Sequence, residues 1–161
     1  PTIHPRAGEV LPLWSAANRY AESKQSVVIV AGGRYGMGSS RDWAAKGASL
    51  LGARAVLAVS FERIHRSNLI GMGILPMRLP EGWGPDELAL KPGDLIEIHG
   101  DAGLIAPRCP IQIVIRRRNG GTTSFRATTA IETTAEVAML KAGGILPLML
   151  KTLIHSQRSA T

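Results

Sequence analysis

Hydrophobic and polar residues follow one another in the first half of the chain in an order typical of an α/β fold. Apolar side chains spaced for one face of a helix occur over Leu13–Ser23, and an unbroken apolar run follows at Val27–Ala31. A second run at Arg54–Val59 has the character of another buried strand, and a helix that ends at Leu51 lies between the two runs. Strand, helix and strand in this order predict a right-handed parallel crossover, and therefore a parallel sheet core.

The second half of the chain is richer in short strands. A short helix capped by Ser60 is predicted through Ile70, and the apolar segment Ile74–Met77 after it is suited to a sheet edge. The remaining predicted elements are strands at Leu95–Ile98, Ile111–Ile115 and Thr123–Thr128, a hairpin turn at Asn119–Gly121, a helix from Thr133 to Ala142 with a Thr133–Glu136 capping box, and a frayed polar tail over residues 155–161. The pattern predicts one α/β domain over residues 1–161, with a mainly parallel core and a β-rich second half.

Composition narrows the possible functions. The 161 residues suffice for one domain, and only 4% of them are aromatic, so surfaces that could stack on nucleic-acid bases are scarce. The single cysteine, Cys109, excludes an internal disulfide framework, cannot alone hold an iron–sulfur cluster or a structural zinc, and favours a reducing, cytoplasmic location. No signal segment or apolar run of membrane length occurs, so a membrane partner is not expected. The net charge of +7 is compatible with nucleic acid or with acidic substrates.

A glycine-rich segment between the first strand and the next helix carries the candidate chemistry. Its sequence is Gly36-Met37-Gly38-Ser39-Ser40-Arg41, and the order strand, glycine loop, helix is one in which helix-terminal amides hold carboxylates or phosphates. Ser39 stands where a phosphate-binding P-loop requires lysine, and Arg41 replaces the third glycine of a dinucleotide fingerprint. The planar guanidinium of Arg41 instead suits bidentate binding of a carboxylate.

The same residues also have a purely structural interpretation. Ser39 or Ser40 can cap the helix, with Asp42 placed as in a capping box, while Arg41 pairs with Asp42 or another surface carboxylate. A serine hydroxyl is a poor base, and a helix N-terminus contributes only about 0.3–1 kcal/mol. Chemistry at Ser39 therefore needs several aimed donors or a nearby metal. The residues of the loop alone leave both interpretations open.

Two long motifs, in order, resemble the carboxy-terminal domain of the aconitase family. They are YGMGSSRDWAAKG at Tyr35–Gly47 and SFERIHRSNLIGMGILP at Ser60–Pro76, and a looser similarity extends from about Gly8 to Leu150. The resemblance implies the three-layer β/β/α swivelling domain of a larger hydro-lyase. It agrees with the start of the chain at Pro1, in what reads as the middle of a loop, so we expect a fragment of a larger enzyme.

The resemblance also implies a role for each residue of the glycine loop. By similarity Ser39 is the catalytic base, Ser40 and Arg41 bind a tricarboxylic acid substrate, and Gly36 and Gly38 support the loop. The family mechanism implies a four-iron, four-sulfur (4Fe–4S) cluster whose cysteine ligands lie in other domains of the same enzyme, so no metal ligand is expected in this chain. A further substrate-binding arginine is expected before Pro1. The isolated chain is accordingly expected to be inactive.

Three functions compete with isomerisation of citrate and isocitrate in the tricarboxylic acid cycle. Segments at Ile105–Arg108, Arg117–Gly120 and Ala142–Gly144 are similar to the 2-methylcitrate dehydratase branch of the family. A small subunit of an isopropylmalate-type isomerase would have a similar loop and length, although Ser60–Asn68 resembles the large single-chain aconitases instead. RNA binding is the third, because Arg116, Arg117, Arg118 and Arg126 form a predicted basic ribbon, for which a solvated strand face is the commoner explanation.

Several other conspicuous residues are expected to have structural roles. His65 and Asn68 on the second helix are interpreted as packing or hydrogen-bonding residues rather than ligands. Cys109 is expected in a loop or at a strand start, without a catalytic role. The methionines are expected to fill the core, at Met72, Met77, Met139 and Met149.

Overall fold

The computed structural model describes residues 2–4 and 9–158. The strands are β1 (Thr2–His4), β2 (Glu9–Leu11), β3 (Val27–Ala31), β4 (Ala53–Ala58), β5 (Leu75–Arg78), β6 (Leu95–His99), β7 (Pro110–Arg116) and β8 (Thr122–Thr129). The α-helices are α1 (Leu13–Glu22), α2 (Arg41–Leu50), α3 (Arg63–Gly71), α4 (Pro85–Leu88), α5 (Thr134–Ala142) and α6 (Ile145–Arg158), and a 3₁₀ turn spans Ala102–Leu104. Every strand and helix predicted from the periodicity is present, with ends shifted by at most three residues.

Six of the strands form one mixed sheet in the order β3-β4-β5-β8-β7-β6. The strands β3, β4 and β5 pair in parallel, and helix α2 crosses between the first two of them, as the sequence predicted. The strands β8, β7 and β6 pair antiparallel, and β8 joins the two halves through β5. The α/β class and the β-rich second half are confirmed, and the parallel pairing is confined to the three strands at one end of the sheet.

Two hydrophobic cores lie on opposite faces of strand β4, because successive side chains of a strand point to opposite sides. The first core includes Ala55, Leu57, Ile111, Ile113 and Ile115. The second core includes Ala45, Ala48, Val56, Ala58 and Leu69, and so joins β4 to helices α2 and α3. Side chains of both edge strands, β3 and β6, pack against the first core, so the antiparallel half of the sheet curls over the parallel half. The result is a β/β/α arrangement of layers.

Strand β5 lies inside the sheet, and the prediction that residues 74–77 pair at an edge is wrong. The prediction rested on Pro76, whose missing N–H group usually confines proline to edge strands. Here Pro76 is aligned with Val56 of β4, and its carbonyl accepts a hydrogen bond from the Ala130 N–H group at 2.8 Å on the other side. An interior proline is tolerated because its carbonyl still has a partner.

The two ends of the described chain also differ from the prediction. Thr2–His4 pairs antiparallel with Glu9–Leu11, so the opening segment is a short strand pair rather than the middle of a loop. Helix α6 was not predicted, and it includes residues 155–158, where a frayed tail was expected. Residues 159–161 of that tail lie outside the described part of the chain. The hydrophobic residues of α6 are compatible with a helix, but several of their side chains remain exposed.

The methionines divide between core and surface. Met77 is fully buried and Met72 packs against the second core, as expected. Met149 of α6 is 56% exposed, so its interpretation as a core residue is wrong. Among the described helices, no single one has the length and apolar character needed to cross a membrane, and α5 and α6 reach those limits only together, across an 88° bend.

Candidate functional site

The two motifs, residues 35–47 and 60–76, meet where strands β3 and β4 end. The Tyr35 N–H group donates to the Ser60 carbonyl at 2.9 Å, and the Glu62 N–H group donates to the Tyr35 carbonyl at 2.9 Å. The hydroxyl oxygen of Ser60 accepts the Arg34 N–H group at 2.7 Å. The carboxyl ends of parallel strands are where open α/β sheets bind ligands. The glycine loop is therefore fastened to the second motif at a position suited to a binding site.

The two serines of the loop do not act as caps through their side chains. Helix α2 begins at Arg41 with Ser40 as its N-cap residue, and no side-chain capping hydrogen bond forms at this helix. Ser39 and Ser40 are both exposed. The predicted capping box between Ser39 and Asp42 is therefore wrong, and the backbone of Ser40, with φ of −94° and ψ of 57°, lies outside the extended conformation typical of an N-cap residue. Neither hydroxyl is committed to holding the helix, and both are accessible to a ligand.

Arg41 is held by two contacts within the protein. Its Nε group donates to the Gly38 carbonyl at 2.7 Å, and its Nη1 atom lies 3.0 Å from Oε2 of Glu62. Its side chain is 29% exposed, at the edge of the loop. The sequence was compatible with an ion pair between Arg41 and Asp42 or another surface carboxylate. In the structure the partner is Glu62, at the start of α3. Nη2 has no hydrogen bond or ion pair to residues 2–4 and 9–158, so this nitrogen is available to a ligand.

Glu62 caps helix α3, where the sequence predicted Ser60. Its carboxylate accepts the N–H groups of Ile64 at 2.9 Å and His65 at 3.3 Å. Partial desolvation raises the pKa of Glu62, but these two amides and the charges of Arg41 and Arg63 outweigh it and hold the pKa below its ordinary value. The carboxylate is therefore ionised at neutral pH. The capping prediction failed because the Ser60 hydroxyl accepts the Arg34 N–H group instead.

His65 packs beneath the loop. Its side chain is 1% exposed, its Nδ1 atom lies 3.1 Å from the Arg41 carbonyl, and its ring meets that of Tyr35 edge-on at 5.2 Å between centroids. These contacts confirm its interpretation as a packing and hydrogen-bonding residue. The imidazole occupies the space beside Gly36, whose φ of +91° also favours glycine. Gly38 differs, because no atom lies near its missing side chain and its contribution is the carbonyl that Arg41 binds.

The loop and helix α3 enclose an open cleft of about 310 Å³. Its lining consists of Tyr35, Gly36, Met37, Gly38, Ser40, Arg41, Ala44 and His65. Two larger cavities, of about 460 and 490 Å³, lie between the edge strands β3 and β6 and beside Arg117, and neither is lined by a residue of the glycine loop. The structure thus brings Ser40, Arg41, Gly36 and Gly38 together at one cleft, with Ser39 adjacent in the chain but outside its lining.

Arg66, on the buried face of α3, was not singled out by the sequence. Its guanidinium forms a bidentate pair with Glu136 at 2.7 and 3.1 Å and donates to the Ala130 carbonyl at 2.8 Å. Glu136 also completes the predicted capping box with Thr133, which is confirmed. The sequence feature that could have identified Arg66 is its position on the same helical face as His65 and Leu69, because a charged residue is rarely buried unless it is paired. Arg66 thereby fixes α3, which supports the loop, against α5.

The chain does not fit a four-iron, four-sulfur cluster. Cys109 is its only cysteine. The Cys109 N–H group donates to the Thr129 hydroxyl at 3.0 Å, and the residue lies immediately before β7, in agreement with a position in a loop or at a strand start. Over residues 2–4 and 9–158, no group of three or more His, Cys, Asp or Glu residues is placed to hold a metal ion. Such a cluster needs several cysteine thiolates.

The predicted basic ribbon is partly neutralised. Arg116 pairs with Glu97 of the neighbouring strand, and Arg117 lies 2.9 Å from Asp94 while donating to the Leu88 carbonyl at 2.8 Å. These two arginines join the hairpin to the adjacent loops, because their partners lie on β6 and in the turn before it. The positive charge that this surface presents to RNA is therefore lower than the sequence indicated.

The fold and the candidate site define an α/β domain that presents an arginine and two hydroxyls at the carboxyl ends of parallel strands. The model of the family "Aconitase C-terminal domain" matches residues 2–82, and this chain belongs to that family. The resemblance drawn from the two motifs is thereby confirmed.

Relatives of known function share most of the chain. Aconitate hydratase A of Pseudomonas aeruginosa is 46% identical over 153 residues, which cover 95% of this chain and 17% of that protein. The 2-methylcitrate dehydratase (2-methyl-trans-aconitate forming) of Shewanella oneidensis is 41% identical over 149 residues, which cover 92% of this chain and 17% of that protein. The chain thus spans about a sixth of the length of these curated relatives.

A solved structure has a similar fold. The crystal structure of 3-isopropylmalate dehydratase from Methanocaldococcus jannaschii superposes with a TM-score of 0.54 at 26% sequence identity. The match covers 93% of this chain and 84% of that one. The likeness extends to nearly the whole of the other chain, so this fold also occurs in a protein of about the same size.

Proposed function

We propose that this chain is the substrate-binding and catalytic-base domain of a hydro-lyase that isomerises citrate and isocitrate through cis-aconitate, by dehydration and rehydration. The observation that carries the proposal is the glycine loop, in which Arg41 is fixed by the protein while the hydroxyls of Ser39 and Ser40 are left without a capping role. The relatives support the choice of reaction, since hydratases and dehydratases of tricarboxylic acids share 41–46% of the aligned residues.

Each residue of the loop has a distinct part in the proposed reaction. Arg41 binds one carboxylate of the substrate, and the Ser40 hydroxyl adds a hydrogen bond to the same substrate. The deprotonated Ser39 oxygen removes the proton from a carbon atom adjacent to a carboxylate and returns it in the reverse direction. The hydroxyl group leaves the neighbouring carbon and takes a proton from an acid elsewhere in the complete enzyme, which gives water and the double bond of cis-aconitate. The N-terminus of α2 stabilises negative charge on the serine oxygen by only about 0.3–1 kcal/mol, so the complete enzyme must supply further stabilisation.

The proposal places the remaining components outside this chain. The 4Fe–4S cluster implied by the family resemblance would take its ligands from other domains of the same enzyme, since this chain does not fit it. The further substrate-binding arginine would lie in an upstream segment of the same domain, outside this chain. The proposed location is a reducing compartment such as the cytoplasm, with a place in the tricarboxylic acid cycle. A chain with one cysteine, Cys109, has no need of an oxidising compartment to form an internal disulfide, which is compatible with that location.

A second candidate is dehydration of 2-methylcitrate, favoured by the relative from Shewanella oneidensis. Citrate and 2-methylcitrate differ by one methyl group, which a pocket discriminates by about 1–3 kcal/mol. The open cleft beside Arg41 leaves the surroundings of that methyl group to other parts of the enzyme.

Parallel kinetics of the full-length protein with citrate, isocitrate and 2-methylcitrate test the proposal. We expect the highest kcat/KM with citrate and isocitrate, and loss of turnover with all three acids when Ser39 is replaced by alanine. A higher kcat/KM with 2-methylcitrate would select the second candidate. Turnover of none of them by the loaded wild-type enzyme would refute both, and isopropylmalate would then be the next substrate to assay.

A further inference from the structure

Glu62 contacts groups that belong to two different segments. Its Oε2 atom accepts the N–H groups of Ile64 at 2.9 Å and His65 at 3.3 Å, and the same atom lies 3.0 Å from Nη1 of Arg41. The two amides fix the carboxylate at the start of helix α3. The third contact reaches across to Arg41, at the start of α2. Glu62 is therefore held by one segment while it holds a side chain of the other.

The protein engages two of the three nitrogens of Arg41. Nε donates to the Gly38 carbonyl at 2.7 Å, and Nη1 pairs with Glu62. A planar guanidinium that is held at two nitrogens keeps both its plane and its direction, which lowers the entropy lost when a ligand binds. Since Nε is occupied, a carboxylate cannot take Nε and Nη2 together and must approach the end of the guanidinium that carries Nη2.

Helix capping alone does not explain a glutamate at this position. Asp, Asn, Ser and Thr are the preferred N-cap residues, because their shorter side chains already reach the first amides of a helix. The additional methylene of Glu62 is needed to reach both the amides of α3 and the guanidinium of Arg41. A shorter acidic side chain could still cap the helix but could not reach Arg41. Side-chain length therefore distinguishes the two roles of Glu62.

We propose that Glu62 is a positioning residue for substrate recognition, which fixes Nη1 of Arg41 so that Nη2 is presented to one carboxylate of the substrate. This inference rests on the proposed function, since it takes a tricarboxylic acid as the ligand. It assigns to the second motif a part in binding that the glycine loop alone does not provide. It also predicts end-on rather than side-on contact between Arg41 and that carboxylate.

Three substitutions in the full-length enzyme separate positioning from capping. Glu62→Asp keeps a carboxylate for the amides of α3 but is one methylene too short to reach Arg41. Glu62→Gln keeps the length of the side chain and an acceptor oxygen. Glu62→Ala loses the contacts with the amides and with Arg41. KM and kcat are measured with citrate, Kd by calorimetry with propane-1,2,3-tricarboxylate, and Tm by thermal unfolding. The matched control is Glu97→Gln, which removes a carboxylate from the pair with Arg116 on strands β6 and β7.

We expect KM and Kd to rise about ten-fold in Glu62→Asp and Glu62→Ala, the loss expected for one hydrogen bond to a charged group. Glu62→Gln should restore most of the affinity, because its amide oxygen still reaches Nη1. Tm should fall in Glu62→Ala and stay close to the wild-type value in Glu62→Asp. The control variant should retain wild-type KM and Kd.

Wild-type KM and Kd in Glu62→Asp would overturn the inference and leave Glu62 with a capping role only. Binding of propane-1,2,3-tricarboxylate without turnover of citrate would refute the proposed reaction, while the order of the Kd values among the variants would still decide the role of Glu62. A wild-type enzyme that does not bind the tricarboxylate would overturn both.

Discussion

The imidazole of His65 occupies the position that a side chain at Gly36 would need. An ideal Cβ atom on Gly36 would lie 2.2 Å from Cδ2 of His65, and the φ of +91° at this residue is unfavourable for any side chain. We expect Gly36→Ala to lower the free energy of unfolding by about 2 to 4 kcal/mol. Urea unfolding measures the change. Gly38→Ala is the matched control, because no atom lies within 4 Å of its missing Cβ, and equal destabilisation by the two variants would contradict the explanation.

Replacement of Arg41 by lysine should separate binding from folding. Lysine keeps the positive charge but has one nitrogen, which cannot contact the Gly38 carbonyl, Glu62 and a substrate carboxylate together. We expect kcat/KM of the full-length enzyme to fall by at least about 100-fold, with an unchanged circular dichroism spectrum. Near-wild-type kcat/KM would show that Arg41 does not bind substrate.

The two serines are expected to differ in kinetic effect. Ser39→Ala removes the proposed base, so kcat should fall by about 100- to 10,000-fold while KM changes little. Ser40→Ala removes a substrate hydrogen bond, and its main effect should be a higher KM. Exchange of the carbon-bound proton with deuterium oxide provides a second measurement, since Ser39→Ala should abolish it. If both variants raised KM equally and left kcat intact, the assignment of Ser39 as base would be wrong.

The pair between Arg66 and Glu136 predicts a pH dependence of stability. Partial burial raises the pKa of Glu136, but hydrogen bonds from Arg66 and from the N–H groups of Glu132 and Thr133 outweigh it, so the pKa lies below the ordinary value. The ionised form therefore stabilises the fold above the unfolded-state pKa of about 4.3, and this contribution is lost as the pH falls through the lower folded-state pKa.

Glu136→Gln tests this dependence. Because the variant leaves the buried guanidinium of Arg66 without its main partner, we expect the free energy of unfolding at neutral pH to fall by about 2 to 4 kcal/mol. The difference from wild type should shrink as the pH falls from the unfolded-state pKa of about 4.3 through the lower folded-state pKa, because the wild-type carboxyl then becomes protonated as well. Glu97→Gln, at an exposed pair, should change little. A difference that is constant from neutral to acidic pH would show that the charge of Glu136 is not responsible.

The isolated chain of 161 residues should not dehydrate citrate. It carries the proposed base and one carboxylate-binding residue, but no residues that fit the implied cluster. Formation of cis-aconitate, followed by its ultraviolet absorbance, is the measurement, and the full-length enzyme at equal concentration is the positive control. Detectable turnover by the isolated chain would show that the reaction needs nothing beyond these residues.

The sequence predicted the elements better than the contacts at their ends. Periodicity located strands β3, β4, β7 and β8 because each has enough apolar residues to reveal its period. Capping was predicted correctly at Thr133, where the partner Glu136 is local, and incorrectly at Ser60 and Ser39. The failure at Ser60 has a long-range cause, because its hydroxyl binds the Arg34 N–H group and helix α3 is capped by Glu62 instead. At Ser39 the expected local hydrogen bond does not form.

The sequence by itself determined the α/β class, the glycine loop and the family, since strand and helix periods and two long motifs are properties of local residue order. Only the tertiary structure decided that β5 lies inside the sheet, that Arg41 pairs with Glu62, and that Arg66 reaches Glu136. The physical reason is that these pairings join residues far apart in the chain, and which carboxylate faces which guanidinium depends on how the two cores set the helices against the sheet.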